Sequence, residues 1–185
     1  MAPHWLDEII RLARERPPAC GMTTVIAVDG PSGSGKTSLT EQLVRSCGAA
    51  VLHLDDIYPG WYGLAATPPM VARDVLEPIA VGQTGSISRW SWVRDRPGPA
   101  LLVPPTPLLV LDGVGSGAAV IRPFLSVLVW VEAPTAVRRR RALERDGAAY
   151  EPWWDTWAAG ESCHFDSEQT RLHADLVIDT TAPDD

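Results

Sequence analysis

The sequence has few cysteines, and their spacing gives them no structural role. Cys20, Cys47 and Cys163 are odd in number and widely separated, with no CxxC pair among them. Disulfide frameworks use even numbers of cysteines, and structural zinc sites use closely spaced ligand pairs. We therefore exclude a disulfide-stapled scaffold and a zinc module.

Long apolar runs are also missing. No stretch approaches the roughly 18 consecutive apolar residues that a membrane-spanning helix needs. Asp7 and Glu8 stand where a secretory signal would require its apolar segment. These absences predict a cytoplasmic protein with no membrane partner.

Positive charge is in deficit. Lysine and arginine together number 16, aspartate and glutamate 23, and the formal net charge is −7. A protein that grips nucleic acid is expected to carry a dominant basic surface. We therefore expect no nucleic-acid partner.

The sequence has the hydrophobic pattern of a globular α/β protein. The chain has 185 residues, of which 45% are hydrophobic, enough for one domain spanning residues 1–185. Short β-branched runs alternate with helical patterns, which favours a five-stranded, mainly parallel sheet with helices on both faces. The predicted strands cover 23–29, 49–56, 107–113, 126–132 and 174–180. The predicted helices cover 4–16, 37–47, 70–80, 134–147 and, in part, 152–165. Residues 81–107 are expected to be mostly irregular, with GSISRWSW extended.

The most informative segment is GPSGSGKTS, which lies between a predicted strand and a predicted helix. Its GxxxxGK[ST] spacing in that context indicates a phosphate-binding loop, and therefore the P-loop NTPase fold. Glycines let backbone N–H groups point at phosphate oxygens, and the helix N-terminus adds positive partial charge. Lys36 is expected to reach the β- and γ-phosphates of ATP, and the Thr37 hydroxyl to bind Mg²⁺. The predicted nucleotide-binding residues are Gly30, Pro31, Ser32, Gly33, Ser34, Gly35, Lys36, Thr37 and Ser38.

Acidic residues stand at the ends of three predicted strands, where an open parallel sheet binds its ligands. We expect Asp112 to bind Mg²⁺ directly or through water, unless it serves only the turn before Gly113. One of Asp55 and Asp56 is expected to be the base for an acceptor hydroxyl, unless both cap a turn. For Asp29 we favour a structural or water-mediated metal role over catalysis.

Several motifs, taken in order, resemble one family. GPSGSGKTS, LDDIY, VLDG, RRRRALERD and ADLVIDT extend over about residues 24–180. In that order they resemble the uridine kinase and phosphoribulokinase-like branch of the P-loop small-molecule kinases. The opening IAVDGPSGSGKT is also similar to cytidylate kinases. The Asp-x-x-Tyr pattern over residues 55–58 is the more discriminating feature, because very many NTPases share the glycine loop.

The resemblance implies roles for three residues around the acceptor. Asp55 takes the position of the family's catalytic base, and Tyr58 that of an aromatic contact beside a nucleoside. Asp112 stands where the family has a glutamate, so its shorter side chain is expected to act through water.

The resemblance also implies a lid over about residues 138–150. Arg141 and Arg145 take the positions of its catalytic phosphate contacts, with Arg138 as a further candidate. Successive residues advance around a helix, so the four consecutive arginines cannot all face one site. We expect the others to face solvent.

The acceptor region departs from the family and reads GWYGLAATPPMVARD and ISRWSWVRDRPG. Trp92 and Arg94 would suit a stacking surface and an anion contact, and Arg73 would begin a helix lining the site. The tryptophans could equally staple a proline-rich loop to the sheet or form a homodimer surface. His53 is expected to belong to the core.

Three function classes remain. The first is a kinase that transfers the γ-phosphoryl of ATP to a hydroxyl of a nucleoside or similar small molecule, with a nucleoside monophosphate as the alternative acceptor. The second is an NTPase that hydrolyses ATP without an acceptor, although the segment WVEAPTA lacks a guanine-reading motif. The third is a nucleotide-binding protein without chemistry, which the intact Lys36, Asp55 and arginine lid disfavour.

Overall fold

A computed structural model describes residues 4–181, and its seven strands form two sheets. The strands are Thr24–Asp29 (β1), Ala50–His53 (β2), Gly85–Ser91 (β3), Arg96–Val103 (β4), Leu108–Asp112 (β5), Val127–Glu132 (β6) and Leu176–Asp179 (β7). Five of them form a sheet in the order β2–β5–β1–β6–β7, in which every pair is parallel. The predicted five-stranded parallel sheet is confirmed.

Helices connect these strands. They are His4–Glu15 (α1), Lys36–Cys47 (α2), Thr67–Val71 (α3), Glu77–Ala80 (α4), Thr135–Asp146 (α5), Trp154–Glu168 (α6) and Thr170–His173 (α7). None of the helices between residues 4 and 181 is long and apolar enough to span a bilayer.

One face of the sheet is covered by the first two helices. Successive side chains of a strand point to opposite faces, so Ile26 and Val28 of β1 lie on the same side. They share a buried cluster with Ile9 of α1 and with Leu39 and Leu43 of α2. This packing seats α2, and with it the glycine loop, directly on the central strand.

The other face is covered by the later helices. Val25 of β1 and Leu109 of β5 belong to a second buried cluster, with Leu76 before α4 and Trp154 and Trp157 of α6. The predicted helices on both faces are therefore present. Both of these α6 tryptophans are buried.

The helix predicted over 70–80 begins earlier and continues past its proline. A π-helical turn at Ala72–Leu76 separates α3 from α4. Pro78 follows this turn directly, in the first turn of α4.

Residues 81–107 contain an antiparallel hairpin. The segment GSISRWSW is extended over 85–91, as expected, but the prediction of an otherwise mostly irregular chain is wrong. β3 pairs with β4, for example Ile87 with Leu101 and Trp90 with Pro97, and a register shift follows Ser88. The prolines of β4 conceal this strand in the sequence, but they are tolerated where a strand has an open edge. The hairpin tip, residues 92–95, is carried toward the carboxyl end of β2.

A buried carboxylate ends β1. Asp29 is fully buried, and its Oδ1 accepts hydrogen bonds from the N–H groups of Gly30 (2.7 Å) and Gly115 (3.0 Å). Its Oδ2 accepts a third, from the N–H of Gly117 (2.8 Å). Burial raises the pKa of Asp29 to about 6, although these bonds favour the charged form. One side chain thus joins the glycine loop to the loop that follows β5, which agrees with the favoured structural role.

Replacing Asp29 by alanine is expected to destabilise the fold strongly. The change would leave three buried N–H groups without an acceptor, and we expect the free energy of unfolding to fall by about 3 kcal/mol or more. Urea denaturation measures this quantity. Asp166→Ala, at an exposed position of α6, is the control and should change it by no more than about 0.5 kcal/mol. Equal stability of the two variants would contradict the role given to Asp29.

Candidate active site

A cleft of about 370 Å³ opens at the carboxyl ends of β1, β2 and β5. The loop after β1, the segment after β2, the end of β5 and one side of α5 form its walls. Its lining residues are Ser32, Gly33, Gly35, Lys36, Thr37, Ser38, Glu41, Asp55, Asp112, Gly113, Arg141, Ala142 and Arg145.

The glycine loop needs its glycines for space as well as for conformation. Gly30 and Gly33 have φ of 138° and 77°, which side chains rarely allow. A Cβ on Gly30 would lie 2.0 Å from the Val131 carbonyl oxygen, and one on Gly33 would lie 2.2 Å from that of Arg138. The loop is therefore packed tightly between β6 and α5.

Six of the nine predicted loop residues line the cleft, and three lie behind them. Gly30, Pro31 and Ser34 form the turn, in which the N–H of Ser34 donates to the Pro31 carbonyl (3.2 Å). The Lys36 Nζ donates to the carbonyl oxygens of Gly30 (2.8 Å) and Pro31 (3.1 Å). These contacts hold the ammonium group over the loop, on the cleft side.

Asp55 lies on a 3₁₀ turn and not at the end of an extended strand. The predicted strand 49–56 ends at His53, and Leu54–Asp56 form the turn. Asp55 faces the cleft, whereas Asp56 faces Arg89 of the hairpin at 4.0 Å. One of the two acids reaches the site, as expected, but through the turn geometry.

The electrostatic surroundings of Asp55 suit a base. Its carboxylate is open to the cleft but closely surrounded by protein atoms, and this desolvation raises the pKa of Asp55. The positive charge of Lys36 opposes the rise, and the negative charge of Asp112 adds to it.

One carboxylate oxygen of Asp112 is hydrogen-bonded, and the other has no hydrogen-bond partner among the described residues. Its Oδ2 lies 2.9 Å from Nδ1 of His53, and this hydrogen bond raises the pKa of His53 against the opposing effect of burial. His53 is half-exposed, so its expected place in the core is wrong. The Oδ1 of Asp112 is buried and has no hydrogen-bond partner within residues 4–181.

That free oxygen and the Thr37 hydroxyl fit a magnesium ion. Over the described part of the chain, no three His, Cys, Asp or Glu side chains gather to hold a metal. Mg²⁺ in nucleotide sites does not need such a cluster, because phosphates and water supply most of its oxygen ligands. A hydroxyl and one acidic oxygen lining the same cleft are the donors that such a site requires.

Two arginines of the predicted lid line the cleft from α5. Arg141 donates from Nη1 to the Thr180 hydroxyl (2.8 Å) and from Nη2 to the Thr180 carbonyl (3.0 Å). Arg145 is held by Asp146, with Nε 2.9 Å from Oδ1. Both guanidinium groups are oriented by neighbours while remaining on the cleft wall.

Arg138, the further lid candidate, does not line the cleft. Its Nη1 donates to the Ser32 carbonyl (3.1 Å), so the guanidinium group binds the loop backbone and is not directed at a phosphate position. Arg139 and Arg140 are exposed, as expected for the outward-facing members of the run.

The hairpin tip meets the segment that carries Asp55. The Trp92 indole N–H donates to the Asp55 carbonyl (2.9 Å), and the ring, 40% exposed, lies 4.8 Å from that of Trp61. Trp61 in turn stacks on Tyr150 and on Trp153, each at 5.4 Å. An aromatic wall therefore stands beside the candidate base.

Three residues predicted to bind the acceptor lie elsewhere. Tyr58 is 1% exposed, and its hydroxyl donates to the Val114 carbonyl (2.8 Å), so it is a core residue without a free ring face. Arg73 is exposed on the helix and paired with Asp74. Arg94 lies in the hairpin tip and borders a separate surface cavity. The predictions for these three are corrected accordingly.

Two helix residues contact the loop without any signal in the sequence. Trp157 donates its indole N–H to the Ser32 hydroxyl (2.9 Å), and Glu161 accepts the Ser32 backbone N–H (2.8 Å). Trp157 is 125 residues from Ser32 in sequence and Glu161 is 129, so no local motif could indicate either contact.

Solved structures share this architecture. A "possible uridine kinase" from Bacillus stearothermophilus matches with a TM-score of 0.67 and 18% identity, over 94% of this chain and 97% of that chain. A protein assigned as a fructose transport system kinase from Silicibacter matches with a TM-score of 0.56 and 16% identity, over 93% and 98%. The shikimate kinase of Acinetobacter baumannii, solved with shikimate, matches with a TM-score of 0.51 and 16% identity, over 87% and 86%.

The chain has the fold of the P-loop kinases. Neither a protein-family model nor a curated protein matches the sequence. Identities of 16–18% show the shared fold alone, so the substrate has to be argued from the residues of the cleft.

Lys36 is the only lysine in the sequence, which allows a direct test of the cleft. An acyl-phosphate derivative of ATP, which acylates amines beside bound phosphates, should label one internal peptide, the one containing Lys36. Excess ATP should block the labelling, and Lys36→Arg should abolish it. Labelling of Lys36 that ATP does not reduce, detected by mass spectrometry, would contradict nucleotide binding here.

Proposed function

We propose that this protein is an ATP- and Mg²⁺-dependent small-molecule kinase that phosphorylates a hydroxyl of a nucleoside or similar metabolite. The observation that carries the proposal is the gathering of Lys36, Asp55, Arg141 and Arg145 around one cleft. A loop that binds phosphate, a base and two cations are the parts that phosphoryl transfer to a hydroxyl requires.

The proposed reaction is one in-line displacement. The acceptor hydroxyl oxygen bonds to the γ-phosphorus as the bond to the β–γ bridging oxygen breaks, and ADP leaves. Asp55 orients the hydroxyl and takes its proton. Arg141 and Arg145 neutralise charge that spreads over the transferring group, and the loop N–H groups with Lys36 hold the phosphates.

Thr37 and Asp112 would hold Mg²⁺, the latter directly or through water. The ion would supply charge neutralisation at the β- and γ-phosphates. Because Oδ2 of Asp112 is engaged by His53, Oδ1 remains for this role.

An acceptor without a phosphate is favoured over a nucleoside monophosphate. A monophosphate would need free cations beside Asp55, but Arg89 faces Asp56 and Arg73 is paired with Asp74. Arg94 and Arg96 border a separate surface cavity. The aromatic wall around Trp61 and Trp92 suits a flat or apolar acceptor body instead. The "possible uridine kinase" and the shikimate kinase, whose names give unphosphorylated acceptors, are in keeping with this.

The test is ADP release from ATP and Mg²⁺ with nucleosides, nucleoside monophosphates, other hydroxylated metabolites or no acceptor. We expect stimulation by an unphosphorylated acceptor. Asp55→Asn should lower turnover by about 10²–10⁴-fold with ATP affinity retained, whereas Lys36→Ala should lower both.

Other outcomes separate the alternatives. Stimulation by monophosphates alone would favour a monophosphate kinase, and equal ADP release with and without every acceptor would favour plain hydrolysis. Turnover unchanged by Asp55→Asn would remove this residue from the mechanism.

The protonation of Asp55 gives a second prediction. A base acts only as the carboxylate, and burial raises the pKa of Asp55, so turnover should fall at a higher pH than for an ordinary aspartate as acid is added. A ¹³C NMR titration of the carboxyl carbon should show a midpoint above 3.8, the ordinary value. Asp112→Asn should lower this midpoint, since it removes a neighbouring negative charge. A midpoint at or below 3.8 in the unsubstituted protein would contradict the assignment.

A further inference from the structure

One residue of the glycine loop, Ser32, is held at all three of its polar groups by two helices. Its N–H donates to Oε1 of Glu161 (2.8 Å), and its carbonyl accepts from Nη1 of Arg138 (3.1 Å). Its hydroxyl accepts from the indole N–H of Trp157 (2.9 Å). Arg138 lies on α5, and Trp157 and Glu161 lie on α6.

Glu161 is the centre of this network. Its side chain is 4% exposed, and Oε1 also accepts the indole N–H of Trp157, one helical turn away, at 2.7 Å. Oε2 lies 3.8 Å from Nη1 of Arg138. A buried carboxylate is unfavourable unless donors and positive charge compensate it, and here each compensating group also contacts Ser32.

The glycines of the loop make such a network useful. Gly30, Gly33 and Gly35 all have positive φ, so the sequence of the loop alone leaves its N–H groups free to take many orientations. A phosphate cradle works when its donors are oriented before the ligand arrives. The contacts to Ser32 impose that orientation from outside the loop.

The same network positions the lid. Arg138, Arg141 and Arg145 are spaced i, i+3 and i+7, so they share one face of α5. Arg138 is fixed on the loop by Ser32 and Glu161, while Arg141 and Arg145 line the cleft. The Arg138 end of the helix therefore helps to fix the register of the two cleft arginines over the loop, together with the contacts of Arg141 to Thr180.

We propose that Glu161 is a positioning residue, whose buried carboxylate orients the glycine loop and the lid arginines together for binding and transfer of the phosphoryl group. The kinetic part of this inference rests on the kinase function proposed above, and the nucleotide-affinity part does not. Glu161 acts through Ser32 and Arg138 and touches no reacting atom.

The experiment compares Glu161→Ala with Glu168→Ala. Glu168 is a matched control on the same helix, since its carboxylate also accepts a backbone N–H, from Ala119, and pairs with an arginine, Arg122, away from the cleft. Calorimetric titration with Mg·ADP and Mg·ATP should show about tenfold weaker binding to Glu161→Ala than to the unsubstituted protein. The kcat of Glu161→Ala, measured by ADP release, should also be lower. Glu168→Ala should lose thermal stability but bind both nucleotides like the unsubstituted protein.

A conservative variant separates positioning from stability. Glu161→Gln keeps an oxygen for the Ser32 N–H and should recover most of the nucleotide affinity. Glutamine lacks the negative charge that pairs with Arg138. The lid helix, and with it Arg141 and Arg145, should then be less well positioned, so kcat should remain lower than in the unsubstituted protein. If Glu161→Ala does not fold, Glu161→Gln and Trp157→Phe, each against Glu168→Ala, carry the comparison.

The Trp157 indole N–H gives a readout independent of turnover. Its ¹H–¹⁵N resonance, identified by its loss in Trp157→Phe, should shift when Mg·ADP binds. At saturating Mg·ADP this shift should be smaller in Glu161→Ala, in which the carboxylate no longer joins Trp157 to the loop. Nucleotide affinity and this response unchanged in Glu161→Ala, or kcat unchanged in Glu161→Gln, would overturn the proposal. If the unsubstituted protein binds nucleotide but phosphorylates no acceptor, the kinase function fails while the affinity comparison still decides the role of Glu161.

Discussion

The carboxylate of Asp29 joins the two loops from which the cleft is built. β1 is the central strand, and its last residue accepts N–H groups from both Gly30 and the segment after β5. Removing a charge from water is unfavourable, but bonds from backbone N–H groups to a carboxylate are strong and directional. The positions of Lys36 on one loop and Asp112 at the start of the other are therefore coupled through one buried group.

The cleft balances charges of both signs within a small volume. Lys36, Arg141 and Arg145 favour a polyanionic nucleotide, whereas Asp55 and Asp112 would repel one. Burial raises the pKa of Asp55, which makes its carboxylate a better proton acceptor than a surface aspartate. The two acids lie after β2 and at the end of β5, whereas the two arginines lie on α5, so the negative and positive side chains occupy different walls of the cleft.

The donor side of the site could be predicted from sequence because its geometry is local. A strand, a glycine loop and a helix in succession place Lys36 wherever that motif folds. The acceptor side could not be predicted, because it depends on segments that are distant in sequence. The prolines of β4 hid the second strand of the hairpin over 85–103, and the Tyr58 side chain is buried in the core. Arg73 forms an ion pair with the adjacent Asp74 instead of lining the cleft. Glu161 was missed because only the tertiary fold brings a carboxylate from α6 to the loop.

This division has a physical consequence for how acceptors can change on the same fold. The loop, Asp29 and the Glu161 network form one connected, buried set of hydrogen bonds, so a substitution in any of them disturbs the others. The hairpin tip instead contacts the Asp55 backbone through the Trp92 indole, and Asp55 is not part of this set. Because the Trp92 side chain supplies this hydrogen bond, a change at Trp92 is expected to disturb Asp55. Residues 93–95 are exposed and can vary in side chain without displacing the phosphate-binding groups. Acceptor selectivity is expected to reside in the tip and its aromatic neighbours, and phosphoryl transfer in the rigid loop beneath.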